Sequence, residues 1–325
     1  MFQNKKYLSR GLSLLLCAVL LFGMMSVTAF AGEQFPPNTM RAPEDLTDLK
    51  PKECETGGFW GQKGIQRRWV EKVEFHDSMK DAPKNVLNFS AVWKNKDVIG
   101  WYSDHVLHIA ANGKVVLGKS AAWMFAYFKN LEEVAFNGCV DTSRVENMAC
   151  MFYECRKLEK VDVECFDTSN VKNMNCMFYQ CKSVQKLDVS KFDTSNVKKL
   201  RRMFAYCESV KELDVSKFDT SGVTDLSFLF YCCKNVKKLD VSGFDTSANL
   251  YLNSMFYHCE SLEELDVSHF DTSKTMGMCY TFAGCSKLKN VDVSGFDTSK
   301  VTLATQFMDD GVTVKGRPWQ ELFEK

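Results

Sequence analysis

The chain has 325 residues, and its forty-one basic residues balance its forty-one acidic residues. This balance gives no long-range electrostatic field that would favour nucleic acid or anionic lipid as a partner. The sequence also contains no glycine-rich phosphate-binding loop and no nucleophile motif. We therefore predict no nucleic-acid partner, no cofactor and no enzymatic activity.

Residues 1–31 have the three parts of a secretory signal peptide. A positively charged start that includes Lys5 and Lys6 precedes an apolar run over residues 12–22, and a small-x-small cleavage site follows at residues 29–31. The apolar run is short for a helix that spans a bilayer. We therefore predict a secreted mature chain without a membrane span, found outside the cell or loosely associated with its surface.

Two segments precede the repeats. Residues 32–56 are charged and contain prolines, and they are predicted to be a flexible linker. Residues 57–118 contain four tryptophans and are interpreted as a β-rich N-terminal cap. Val73 and Phe75 alternate with charged residues, which indicates a strand. Asn112-Gly113 lies between two apolar runs and predicts a hairpin, because both residues tolerate positive φ.

Residues 119–308 form a repeat region with a period of twenty-six residues. An Asp-Thr-Ser triplet and a cysteine both recur at this interval. The triplets begin at Asp141, Asp167, Asp193, Asp219, Asp245, Asp271 and Asp297, and the cysteines are Cys155, Cys181, Cys207, Cys233, Cys259 and Cys285. Self-similarity at a period of this size is typical of a solenoid.

Each unit contains two apolar spacings. In Leu187 to Ser190 apolar and polar residues alternate, which predicts a short strand. After Ser195 the apolar residues are three or four apart, which fits one face of a short helix. Ordering a unit costs roughly 1–2 kcal/mol per residue in backbone entropy, so the units must cover one another to fold. We predict an α/β solenoid of the leucine-rich-repeat type with about seven coils, each with a short strand plus a short helix or an extended segment.

Residues 309–325 are predicted to be a C-terminal cap. This segment carries Trp319 and Phe323, which provide apolar surface to cover the last coil. The sequence contains no sorting motif and no wall-binding module. Release from the cell, or non-covalent retention at its surface, is therefore expected.

The repeat motif resembles that of a known family. The pattern consists of Leu187 to Ser190, Phe192 to Ser195, and Met177-Phe178 with Cys181. In these residues the chain is similar to the BspA-family leucine-rich-repeat surface proteins of bacteria. Residues 73–82 and 316–319 also resemble segments that flank such repeats, so the resemblance covers about residues 70–325. It implies an extracellular repeat protein without catalytic residues, and some members of the family act as adhesins.

Cysteines suggest two kinds of role. The repeated column from Cys155 to Cys285 lies on the apolar side of each coil and predicts buried thiols that hydrogen bond weakly to the backbone. Cys139 with Cys165, and Cys150 with Cys176, are one repeat apart, which places their Cα atoms about 4.8 Å apart and within reach of a disulfide. Disulfides and thiols remain open alternatives for these two pairs.

No metal site is predicted. His105 and His108 are three residues apart in a predicted strand, so they would lie on opposite faces of it.

Aromatic and basic residues are the candidates for ligand binding. Tyr153, Tyr179, Tyr231 and Tyr257 share one column, which forms either a self-stacking ladder or an exposed stripe that binds a sugar or protein surface. Arg201 and Arg202 belong to a basic coil that either attracts an acidic partner or is a solvated charged face. We expect a secreted binding protein that presents a repeat surface to an extracellular protein or glycan, the alternative being a secreted scaffold without a dedicated ligand site.

Overall fold

The structure is a computed structural model, and it describes residues 37–40, 58–59, 62–91, 95–289, 291–309, 313–314 and 317–323. The predicted signal peptide lies outside these residues. The strands are β1 (Thr39–Met40), β2 (Gly58–Phe59), β3 (Gln62–Gln66), β4 (Lys72–His76), β5 (Leu87–Asn88), β6 (Val98–Ser103), β7 (Val106–Ala111), β8 (Val115–Leu117), β9 (Glu133–Ala135), β10 (Val140–Asp141), β11 (Lys160–Val161), β12 (Thr313–Val314) and β13 (Arg317–Pro318). Two 3₁₀-helices span Arg67–Trp69 and Trp319–Phe323.

A six-stranded sheet dominates the N-terminal region, with strand order β11–β9–β4–β7–β6–β5. Val73 and Phe75 of β4 are fully buried, which confirms the strand predicted from their alternation. β4 pairs in parallel with β7 on one side and with β9 on the other. Because β9 belongs to the repeat region, this sheet joins the N-terminal region directly to the first repeats.

The hairpin predicted at Asn112-Gly113 is wrong. The flanking strands β7 and β8 belong to different sheets, and Gly113 alone of the pair has positive φ. A tight two-residue turn of this kind needs positive φ at both positions. Asp104 (φ 46°) and His105 (φ 65°) meet this requirement instead and join β6 to β7 as an antiparallel hairpin.

A second, parallel sheet has the strand order β1–β8–β10. Its strand β1 lies within the range predicted to be a linker. Thr39 and Met40 are buried and pair with Val116 and Leu117. These two residues are therefore part of the folded protein, in contrast to the linker prediction for this range.

Neighbouring repeat units are joined through their backbones. The N–H of Cys176 donates to the carbonyl of Arg201 in the next unit (N···O 3.0 Å), and the N–H of Phe178 donates to that of Met203 (2.9 Å). Between them, Met177 donates three residues back within its own unit. Isolated parallel bridges also join equivalent residues, including Asn147–Asn173, Asn173–Lys199, Lys186–Glu212, Asp225–Tyr251 and Tyr251–Gly277.

The short helix predicted for each unit does not form, so the α component of the predicted α/β fold is absent from the part of the chain that the structure describes. Helical N–H groups bond to the carbonyl four residues back, whereas here alternate N–H groups bond to the next unit. Cys176 (φ 57°) and Gln180 (φ 60°) also have left-handed backbone, which a right-handed helix excludes. The segment is a series of turns, and the protein is a β-rich repeat fold.

Repeated apolar side chains form a continuous core. Equivalent phenylalanines stack face to face, and the ring centroids of Phe178 and Phe204 are 6.0 Å apart with planes inclined by 3°. Phe204 in turn stacks on Phe230 at 5.8 Å. At the C-terminal end of this row, Trp319 and Phe323 pack against Phe307, at centroid distances of 6.2 and 5.3 Å.

A buried threonine in each Asp-Thr-Ser triplet connects successive units. The hydroxyl of Thr194 accepts a hydrogen bond from the N–H of Asp219 (2.7 Å) and donates one to the carbonyl of the same residue (3.0 Å). Thr168 makes the same pair of contacts with Asp193. The triplet is therefore a hydrogen-bonding element between units.

Candidate functional site: the aromatic stripe

A row of half-buried aromatic side chains runs along the repeat region, and we call it the aromatic stripe. Its members are Trp123, Tyr127, Tyr153, Tyr179, Tyr206, Tyr231, Tyr257 and Tyr280. From Tyr127 onwards, consecutive rings have centroids between 4.8 Å (Tyr153–Tyr179) and 5.9 Å (Tyr257–Tyr280) apart. The four tyrosines predicted as one column therefore lie in one continuous surface feature.

Tyr206 shows how the backbone completes this stripe. In its unit the buried Ala205 occupies the tyrosine column, and Tyr206 comes one position later with φ 63°. This left-handed backbone places its ring between Tyr179 and Tyr231, at centroid distances of 5.6 and 5.0 Å. Sequence analysis left Tyr206 out of the binding candidates because it leaves the twenty-six-residue column, although its ring keeps the row intact. Trp123, Tyr127 and Tyr280 were missed as well.

Contact with neighbouring rings changes the chemistry of the tyrosine hydroxyls. Burial raises the pKa of Tyr153, Tyr179 and Tyr231 above the ordinary tyrosine value. These hydroxyls therefore stay protonated through the physiological range. The stripe offers uncharged rings with polar tips that both donate and accept hydrogen bonds.

The two predicted arginines lie beside the stripe. The guanidinium of Arg202 lies 4.4 Å from the ring centroid of Phe228, and that ring is 5.5 Å from Tyr231. Arg201 donates to a carboxylate oxygen of Asp225 at 3.0 Å. Arg202 thus extends the stripe with a cation, whereas Arg201 is engaged in an ion pair.

Repeated aspartates serve the backbone. The carboxylate of Asp193 accepts from the N–H and the hydroxyl of Ser195, at 3.0 and 2.7 Å, which confirms the backbone-capping role predicted for the triplet. The outward Asp188 makes the same contacts with Ser190. These donors lower the pKa of both carboxylates below the ordinary aspartate value.

We expect acid to destabilise the protein through these turns. A carboxylate whose pKa is lowered by folding stabilises the folded state above its unfolded pKa of about 3.9, and this contribution is lost as the pH falls through the folded value. The urea midpoint should therefore decrease as the pH drops below about 4. Asp193→Asn should weaken this dependence, because the amide oxygen accepts the same N–H without titrating. A midpoint that stays constant or rises in acid would contradict this expectation.

The cysteine column consists of buried thiols, as predicted. Cys181 donates from Sγ to the carbonyl of Phe152 at 3.2 Å, and Cys207 donates to that of Phe178 at 3.3 Å. Both are fully buried, and burial raises the pKa of both thiols. These residues are therefore part of the core rather than reactive groups.

The two cysteine pairs predicted as possible disulfides carry thiols in this structure. The side chains of Cys150 and Cys176 are hydrogen bonded to each other, which lowers the pKa of the Cys176 thiol. Cys139 is buried and Cys165 is half-buried. The structure thus has the reduced alternative for both pairs, and their oxidation remains a prediction.

A surface cavity of about 270 Å³ lies between the first complete units. Its lining includes Glu146 and Lys172, which pair at 2.7 Å, and Asn170, which donates to the carbonyl of Ser143 at 2.8 Å. These polar groups connect neighbouring units to each other.

Three potential metal ligands meet on the N-terminal sheet. Glu74 and His76 of β4 and His108 of β7 each offer one donor atom, and these atoms lie within 4.8 Å of one another. His105 lies in the turn between β6 and β7 rather than in a strand, so the histidine pair considered in the sequence was not the relevant one. The grouping was missed because its members are far apart in the chain.

The stacked units and their uninterrupted aromatic surface define a β-rich repeat protein. A protein-family model described as "Mycoplasma protein of unknown function, DUF285" matches residues 119–213 and 206–318, which together are more than half of the chain. The chain belongs to this family. Comparisons with curated proteins and with solved structures gave no match. Within the described residues, no helix has the length and apolar character needed to cross a bilayer.

Proposed function

We propose that the protein is a secreted, non-enzymatic binding protein whose repeat region is a solenoid of the leucine-rich-repeat type. The twenty-six-residue period, the parallel bridges between equivalent residues and the shared core support this architecture. The signal-peptide pattern at residues 1–31 and the resemblance to BspA-family surface proteins support an extracellular location.

The aromatic stripe is the proposed binding surface for an extracellular protein or glycan. One observation carries this assignment: eight half-exposed aromatic rings lie in a single row across the repeat units. A soluble protein usually exposes large aromatic surface where it binds a partner, because such rings provide contact area together with polar tips.

The stacking of these rings favours binding in a second way. Tyr153 and Tyr179 have nearly parallel rings, with planes inclined by 11°, and Tyr231 and Tyr257 are inclined by 17°. Rings that are already held by their neighbours lose little side-chain entropy when a ligand covers them. The stripe is therefore preorganised for a flat or extended ligand.

Charges beside the stripe indicate the kind of ligand. The ammonium group of Lys182 lies 5.6 Å from the ring centroid of Tyr206, and the guanidinium of Arg202 lies over Phe228. These cations next to neutral aromatic rings would complement an acidic segment or an acidic glycan.

A catalytic function is less well supported by the repeated polar residues. Successive units carry equivalent aspartates, and these accept hydrogen bonds from serines two residues later. Catalysis by paired carboxylates requires two groups with separated pKa values in one place. Equivalent copies in equivalent turns do not provide such a pair.

The proposal is tested with the mature chain on an array of immobilised extracellular-matrix proteins and glycans. We expect selective binding to at least one probe, and at least a tenfold loss of affinity in the double variant Tyr179→Ala/Tyr231→Ala, because aromatic anchors dominate interfaces of this kind. The same array separates a protein ligand from a glycan ligand.

Tyr251→Ala is the matched control, since Tyr251 is a half-buried tyrosine of the repeat region outside the stripe. It should leave binding unchanged. Unchanged affinity in the double variant, with an unfolding midpoint that falls, would instead assign the stripe to stability and favour the scaffold function.

A further inference from the structure

The outer face of the N-terminal sheet carries a compact group of two imidazoles and one carboxylate. Glu74 lies directly opposite His108 in the pairing of β4 with β7, and His76 follows two residues after Glu74 on the same face. His76 Nε2 and His108 Nδ1 are 3.0 Å apart, and Glu74 Oε2 is 3.5 Å from His108 Nδ1. Strand pairing therefore fixes all three donors within one small volume.

We propose that Glu74, His76 and His108 form a binding site for a divalent transition-metal ion of the zinc class. In tetrahedral zinc sites the bonds to nitrogen and oxygen are about 2.0–2.2 Å long, so neighbouring ligand atoms are separated by about 3.3–3.5 Å. The two separations of 3.0 and 3.5 Å lie close to this range. One ion can bind both nitrogens and the carboxylate with only a small movement of the side chains.

The type of donor selects the class of metal. Imidazole nitrogen suits Zn²⁺ and its first-row neighbours, whereas Ca²⁺ and Mg²⁺ prefer sites made entirely of oxygen. Two histidines with one glutamate are also a ligand set found in zinc sites that retain a fourth position for water. The side chains of Glu74 and His108 are 26% and 16% exposed, so this fourth position faces solvent.

Surrounding residues support the three ligands. Ser103 Oγ is 3.4 Å from His108 Nε2, where it can accept the proton of that nitrogen and leave Nδ1 for the metal. Lys72 Nζ contacts the other oxygen of Glu74, Oε1, at 2.6 Å. The ammonium group and the ion therefore use different oxygens, and both supporting contacts orient the ligands.

Trp101 flanks the site and provides a built-in reporter. Its ring stacks on His108 at a centroid distance of 4.8 Å and on His76 at 5.7 Å. A paramagnetic ion at this position should quench the fluorescence of this indole. The competing explanation for the geometry is a hydrogen bond between the two imidazoles without a metal.

Titration of the chelator-treated, full mature chain with Co²⁺, followed by displacement with Zn²⁺, tests the proposal. We expect one Co²⁺ per chain, with absorption typical of nitrogen and oxygen ligands and without a thiolate charge-transfer band. Binding should quench tryptophan fluorescence, and Trp101→Phe should remove this quenching while retaining the bound ion. Zn²⁺ should also raise the thermal unfolding midpoint.

Variants separate the metal site from a hydrogen bond between histidines. His76→Gln and His108→Gln should each lower the affinity for Co²⁺ by more than about a hundredfold, and Ser103→Ala by about tenfold. His105→Gln, in the adjacent turn, is the matched control and should bind normally. If a histidine variant fails to fold, Glu74→Gln and the fluorescence of the unaltered chain still decide the question.

Three outcomes would overturn the proposal. These are the absence of saturable Co²⁺ binding, retention of binding in the double variant His76→Gln/His108→Gln, and a thiolate charge-transfer band that assigns the ion to cysteines. None of them bears on the aromatic stripe, which lies in the repeat region.

Discussion

Replacing Phe204 by alanine is expected to lower the free energy of unfolding by about 3–5 kcal/mol, because it removes a fully buried ring and leaves a cavity. The ring of Phe204 stacks between Phe178 and Phe230, at centroid distances of 6.0 and 5.8 Å. The loss therefore affects both interfaces of its unit. Urea unfolding followed by circular dichroism measures the effect.

Phe228→Ala is the control for this prediction. Phe228 belongs to the next unit and is half-buried, and it contacts Arg202 and Tyr231 at the surface. Its loss should cost about 1 kcal/mol or less. Equal effects of the two substitutions would show that the phenylalanine row is not the common core of the units.

Replacing Thr194 by valine should cost about 1–3 kcal/mol, although the two side chains have nearly the same shape. The hydroxyl is the partner of both the N–H and the carbonyl of Asp219, at 2.7 and 3.0 Å. Valine keeps the packing but leaves these backbone groups without their threonine partner. Chemical denaturation reports the loss, and amide hydrogen exchange should show faster exchange at Asp219.

Thr224→Val, at an exposed position of the following unit, provides the comparison. It should change the stability by less than about 0.5 kcal/mol. A Thr194→Val variant as stable as the parent would mean that the hydroxyl bonds between units contribute nothing net.

Periodicity predicted the parts of the fold that depend on a residue's position within the unit. The column of Cys181 and Cys207 is buried and bonded to carbonyls, and Asp193 caps its own turn, as expected. These features follow from burial and from local hydrogen bonds. Both are encoded within a single twenty-six-residue unit.

The local conformation after each triplet was not predictable from apolar spacing. Steps of three or four residues arise in a helix, but they arise equally in successive turns whose side chains face one core. What decides between them is the acceptor of each N–H, as at Cys176, which donates to Arg201 in the next unit. That partner lies in another part of the chain.

The site residues missed in the sequence share the same cause. Tyr206 joins the stripe through a left-handed backbone that its own residue type does not indicate. His76 and His108 meet only because β4 pairs with β7 in one particular register. Column counting identifies equivalent residues, whereas these contacts depend on tertiary pairing.

Interchangeable contacts between units have a consequence for how such a chain changes in size. Each interior unit offers its neighbours the same ring, the same threonine hydroxyl and the same backbone groups, so any two units would fit together. Duplication or loss of one whole unit would leave every remaining junction chemically unchanged, whereas loss of half a unit would misalign all of them. The reach of such a molecule can therefore be altered in discrete increments without redesigning its interior.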